Sequence, residues 1–111
     1  NHRKKRNIKI SMTIYNSYDV AVTNTSTSLT IGEIKNLGDM GSFRCFIKRT
    51  PLPPGDYRVA VALYDDAGLI DHISNAIIFS VDSSVYYQST KTPDKKYCTV
   101  MIDHRWEHQK F

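Results

Sequence analysis

Apolar and polar positions alternate with a period of two through much of this chain, which predicts a succession of short β-strands. Ile8, Ile10, Met12 and Ile14 alternate with Lys9, Ser11, Thr13 and Tyr15. Asn16-Ser17 supplies turn chemistry, and Tyr18, Val20 and Val22 alternate with Asp19, Ala21 and Thr23 as the expected hairpin partner. Asn24–Ser28 is polar and reads as a loop. Leu29–Gly41 carries spaced apolar residues among Gly and Asn breakers, so an irregular crossover with at most one short strand is expected. Ser42–Lys48 alternates again, with Phe43, Cys45 and Ile47 expected inward and Arg44, Phe46 and Lys48 outward.

The strongest signal is Pro51–Tyr64. Pro53 and Pro54 cannot donate to a ladder, and Gly55 admits φ > 0, so the chain must turn there. Tyr57, Val59, Val61 and Leu63 then face one way, and Arg58, Ala60, Ala62 and Tyr64 the other, as in a central strand. Asp65-Asp66-Ala67-Gly68 closes it. Strands are expected at Leu69–Ile73 and Asn75–Asp82, with Ser83–Tyr87 as an extension of the second. Gln88–Lys96 is a polar loop, and Tyr97–Asp103 the final strand, with Cys98, Val100 and Ile102 inward. His104–Phe111 is a charged tail. The fold expected is all-β, an antiparallel immunoglobulin-like or jelly-roll β-sandwich. A single domain spans residues 8–111 behind a basic linker or the end of a preceding segment at residues 1–7.

The outward positions are not uniformly polar. Phe46, Ala60, Ala62, Tyr64, Ile78 and Met101 are expected to gather on one sheet surface, with Arg44, Arg58 and Tyr15 at its rim. Small residues flanked by aromatics form a shallow trough. Either another strand or a second subunit covers it, or it is a groove for an extended ligand whose apolar faces stack on tyrosine. The two readings weigh equally.

Length and composition change this picture little. A chain of 111 residues holds one core, and no apolar run is long enough to span a bilayer. No apolar h-region follows Asn1, so no signal peptide is read, and the missing initiator Met suggests a piece of a longer protein. Of the net charge of +4, His2-Arg3-Lys4-Lys5-Arg6 carries four fixed positive charges. Such a run is more often a solvated linker than a nucleic-acid contact, and no platform of stacked aromatics accompanies it, so no nucleic-acid partner is expected. Cys45 and Cys98 read as buried free thiols, with a disulfide between facing strands left open.

Catalytic chemistry finds no support, and no enzyme, metal or cofactor is expected. The Asp65–Gly68 turn lacks the spacing of a calcium loop. His104 and His108 stand four apart without the His-Glu-x-x-His order, so a surface tail with a docked Trp106 is favoured over a metal site. Neither a nucleophile elbow nor a phosphate loop of the Walker type is present.

Several blocks taken together carry a family pattern. Leu52, Pro54, Gly55 and Tyr57 precede the alternating strand; Asp65, Gly68 and Asp71 follow it. Ala76, Phe79 and Val81 come next, then His104 and Trp106 after the last strand. Thr23, Thr25 and Gly41-Ser42-Phe43 also fit. In order and spacing, these elements resemble the C-terminal domain of Wzt, the ATPase subunit of ABC transporters that export O-antigen polysaccharide. Two departures stand out. Asn16-Ser17-Tyr18-Asp19 replaces an acidic residue plus Gly, which implies a longer hairpin. The basic run replaces the end of a strand, which implies that N-terminal strands lie outside the chain.

The resemblance implies a cytoplasmic, non-catalytic carbohydrate-binding module, held at the inner membrane through the transporter. It would act behind an ATPase domain on lipid-linked O-antigen polysaccharide, and pair as a homodimer. The alternative is a structural dimerisation domain that binds no sugar. Ligand contacts are expected from the outward residues Tyr64, Arg58, Phe46, Arg44 and Met101, and from Trp106, which packing against the sandwich would equally explain.

Overall fold

A computed structural model of the chain describes residues 6–32, 34–37, 42–82 and 86–110. The architecture is antiparallel and almost entirely β, in agreement with the all-β sandwich class read from the sequence. The strands are β1 (Arg6–Asn16), β2 (Ala21–Ser26), β3 (Ile34–Leu37), β4 (Gly55–Asp65) and β5 (Gly68–Val81), with a helical turn, α1 (Thr27–Thr30), between β2 and β3. They form a sheet in the order β2-β1-β4-β5, with β3 pairing the start of β1.

Register follows from the alternation. Ile14 lies opposite Val59, and Met12 opposite Val61, so one face of the sheet is apolar across β1 and β4. Tyr57 faces Phe79 on β5, their rings stacked 5.4 Å apart. Ile14, Leu52, Tyr57 and Val59 form the core of this face, with Met12, Val22, Val61, Phe79 and Val81 packed against it. The Tyr57 hydroxyl donates to the Pro53 carbonyl at 2.5 Å, which ties the Pro-Pro-Gly turn to the strand it launches. The other face carries Lys9, Ser11, Thr13 and Tyr15 opposite Tyr64, Ala62, Ala60 and Arg58.

Several expectations are corrected. The β1–β2 hairpin is longer than two residues, as its departure from the family pattern implied. Tyr18 and Val20 sit in the turn, 80% and 51% exposed, not in a strand. The Asn16 side-chain carbonyl accepts from the Tyr18 and Val20 N–H groups at 2.9 and 3.1 Å, an alternative to ladder pairing. Asp19 turns the chain at φ 60°, a conformation Asp tolerates. Asn24–Ser26, expected as loop, belongs to β2, because its polar side chains meet the polar residues of β1. The crossover contains the one short strand expected of it, β3.

The two strands expected over 69–82 are one, β5, running unbroken through Ser74-Asn75-Ala76. Pairing steps there from Val59↔Ile77 to Val61↔Ile73, a bulge that absorbs the polar residues mistaken for a break. At the Asp65–Gly68 turn, the Asp65 carboxylate accepts from the Ala67 N–H at 2.9 Å and Gly68 takes φ 125°, as turn chemistry required.

Ser42–Lys48 and Tyr97–Asp103 are irregular, with bends in the second at Tyr97, Thr99 and Val100, and lie in no ladder among the described residues. In the second, the expected orientation is inverted. Met101 is 2% exposed and donates its N–H to the Pro51 carbonyl at 2.6 Å, whereas Val100 and Ile102 are exposed. Bonds scattered among irregular segments impose no period of two, so alternation does not assign faces there. Both thiols are free, but Cys45 is exposed and Cys98 half-buried rather than core. Arg6 and Asn7, expected as linker, already belong to β1; residues 1–5 and 83–85 lie outside the described residues.

Candidate functional site

The face opposite the core carries a strip built by strand register alone. At one end Tyr15 pairs with Arg58, and at the other Lys9 pairs with Tyr64. In each pair a cation covers an aromatic ring: the Arg58 guanidinium lies 4.0 Å from the Tyr15 centroid and Lys9 Nζ 4.6 Å from that of Tyr64. Six residues along β4 separate the pairs, about 20 Å at roughly 3.3 Å per residue. Between them stand Ala60 and Ala62, which are buried at 6% and 9% exposure, so the middle of the strip is floored by covered alanines.

Polar groups line its middle. The two N–H groups of the Asn24 amide are shared among Ser11 Oγ at 2.9 Å, Thr13 Oγ1 at 2.8 Å and the Met12 carbonyl at 3.1 Å. Because both hydroxyls accept from Asn24, each keeps its own O–H to donate. Arg58 is held at several points. It donates to the Asp19 carboxylate at 3.3 Å and to the Ser74 carbonyl in the β5 bulge at 2.9 Å. Its position is thus fixed by the hairpin turn, the Tyr15 ring and the bulge together. The arrangement places a cation–aromatic pair at each end and hydroxyl and amide groups between, which suits an extended polyhydroxylated ligand.

The expected trough is partly present. Ala60, Ala62, Tyr64, Ile78, Arg58 and Tyr15 do share this face. Phe46 and Arg44 lie elsewhere, in an apolar groove on the core side with Ile10, Met12, Thr25 and Val61. Phe46 is 85% exposed. Met101 is turned inward and buried, a correction to its outward placement. Trp106 is not docked; it stands 88% exposed on the C-terminal segment.

A second cleft escaped sequence reading. Arg49, Tyr86, Tyr87, Gln88, Lys91 and His104 are among the residues around about 730 Å³ of space between the 86–93 loop and the C-terminal segment. Adjacent tyrosines beside a polar loop were its only signal, and a strand reading of Ser83–Tyr87 hid it. Among the described residues, no group of three or more His, Cys, Asp or Glu side chains stands close enough to hold a metal ion. No helix among the described residues is long and apolar enough to cross a membrane.

The family model of the Wzt C-terminal domain matches residues 2–96. Comparison with curated proteins finds no match. The family match includes the whole strip and stops short of His104 and Trp106, so those two positions of the motif lie outside it.

Proposed function

The chain belongs to the Wzt C-terminal domain family, the C-terminal part of O-antigen ABC exporters, and from that premise we propose that it is a non-catalytic module binding O-antigen-type polysaccharide for export. The observation that carries this reading is the strip of two cation-covered tyrosines about 20 Å apart with hydroxyl and amide groups between them. The cations and the polar row between them bond sugar hydroxyls, and the aromatic edges beside them meet the apolar C–H groups. In this reading the domain works in the cytoplasm, behind an ATPase domain, and presents lipid-linked polysaccharide to the membrane transporter. The test is direct titration of the chain with O-polysaccharide of its source strain, with an unrelated polysaccharide as control. The double variant Tyr64→Ala/Arg58→Ala is expected to lower affinity at least tenfold. Undiminished binding by that variant would remove the strip from the site.

One observation favours a second reading, a pairing domain without sugar binding. Strand β5 ends the described sheet order and exposes Leu69, Ile73, Ile77 and Ile78, which project from both faces. A long apolar edge strand is a template for another strand. Sedimentation of the chain separates the readings when run beside the titration: a dimer that ignores polysaccharide supports pairing alone, and a dimer that binds it supports both.

A further inference from the structure

We propose that the cleft between the 86–93 loop and the C-terminal segment is a second saccharide subsite, separate from the strip. The inference rests on the carbohydrate-binding reading above and deepens it. The cleft is open to solvent on one side and offers about 730 Å³, within the roughly 300–1,000 Å³ typical of small-ligand sites.

Its aromatic wall is continuous. Tyr86 and Tyr87 meet edge to face at 5.2 Å, and Tyr87 meets the His104 ring edge to face at 5.1 Å. The Tyr87 hydroxyl donates to the Ile102 carbonyl at 3.0 Å, and His104 Nδ1 lies 2.9 Å from the same oxygen. These contacts tie the loop's aromatic wall to the C-terminal segment.

Arg49 is held against this wall. The Arg49 guanidinium lies 3.9 Å over the Tyr86 ring, bonds the Tyr86 carbonyl, and stands 3.7 Å from the Asp103 carboxylate. Half of the Arg49 side chain and most of Asp103 remain exposed. The pair thus presents a planar donor and a planar acceptor side by side, able to bond adjacent sugar hydroxyls. Gln88, Ser89 and Thr92 add neutral donors and acceptors, and Lys91 one further cation. Aromatic wall plus paired donor and acceptor is the chemistry of a saccharide site. An apolar ligand would leave this polar set unpaired.

The test uses the isotope-labelled 111-residue chain and two probes: O-polysaccharide of the source strain and the oligosaccharides released from it by mild acid. Resonances of Tyr86, Tyr87 and His104 are expected to move with both probes. They should move with the oligosaccharides even in the Tyr64→Ala/Arg58→Ala variant. Arg49→Gln and Asp103→Asn should each weaken oligosaccharide binding at least fivefold while the spectrum of the sheet stays unchanged. Movement of Tyr15 and Tyr64 with a silent cleft would overturn this subsite and leave the strip standing. Saturation by neither probe would overturn both readings together.

Discussion

Replacing Tyr57 by Phe isolates one oxygen at the centre of the fold. The side chain is 6% exposed, its ring stacks on Phe79, and its hydroxyl donates at 2.5 Å to the carbonyl of buried Pro53. Phenylalanine keeps the ring and its packing but leaves that carbonyl without the donor. A buried group left unsatisfied costs about 1–3 kcal/mol. With a urea slope of about 1–3 kcal/mol/M for a small domain, the midpoint should fall by about 1 M. Alkaline pH gives an independent signature. Burial, and secondarily the nearby Cys98, raise the Tyr57 pKa above its ordinary value of 10.0. The folded chain then holds this proton where the unfolded chain has lost it. Its contribution is complete below pH 10 and declines as pH rises from there through the folded pKa. The assay is urea unfolding followed by circular dichroism at pH 7 and at stepped values above 10. Wild type should lose stability more steeply than Tyr57→Phe in the alkaline range. A variant equal to wild type at pH 7, with the same alkaline slope, would refute the bond to Pro53.

Three further outcomes follow from the same structure. Met101→Ala should destabilise by about 2–5 kcal/mol as a buried truncation, whereas Trp106→Ala should stay within about 0.5 kcal/mol as an exposed one; thermal unfolding of the two variants checks the inverted orientation of the last segment. Asn24→Ala removes three bonds between β2 and β1 and should cost about 1 kcal/mol, with faster amide exchange in Ser11–Thr13 as the reporter. Gly68→Ala places a Cβ at φ 125° and should cost about 1–2 kcal/mol, although nothing stands within 4 Å of the added atom; a stabilised variant would contradict the turn geometry.

Where a segment's partners are other strands, its pattern in the sequence was legible. Tyr57, Val59 and Val61 face one way and Ala60 and Ala62 the other because β4 pairs on both edges, and ladder pairing enforces the period of two. Ser42–Lys48 and Tyr97–Asp103 alternate just as well, but no ladder among the described residues fixes which side is inward. Phe46 and Met101 were misplaced for that reason. Side-chain competition produced the other errors. Asn16 drew backbone donors to itself and lengthened the hairpin, and Asn24 joined three acceptors in what reads as loop composition. The Arg49–Tyr86–Asp103 cleft joins residues distant in the chain through irregular segments, and no periodicity encodes such a meeting.

The same rule explains why the strip is better determined than any loop-built site here. An alternating strand assigns each side chain to a face, so the residues that make β4 central also set its outer surface. Tyr57 and Val59 bind the strand to the core; Arg58, Ala60, Ala62 and Tyr64 are then carried to the opposite face at fixed spacing, opposite Tyr15, Thr13, Ser11 and Lys9, with the two alanines buried there. A register slip by one residue would exchange these faces, burying Arg58 and exposing Tyr57 and Val59. Preserving the core therefore preserves the distance between the two tyrosines, whereas the side chains lying between them can change without loss of fold. Under the proposed function, discrimination between glycans would accordingly reside in Ser11, Thr13 and Asn24, and the two ends would supply the affinity common to all.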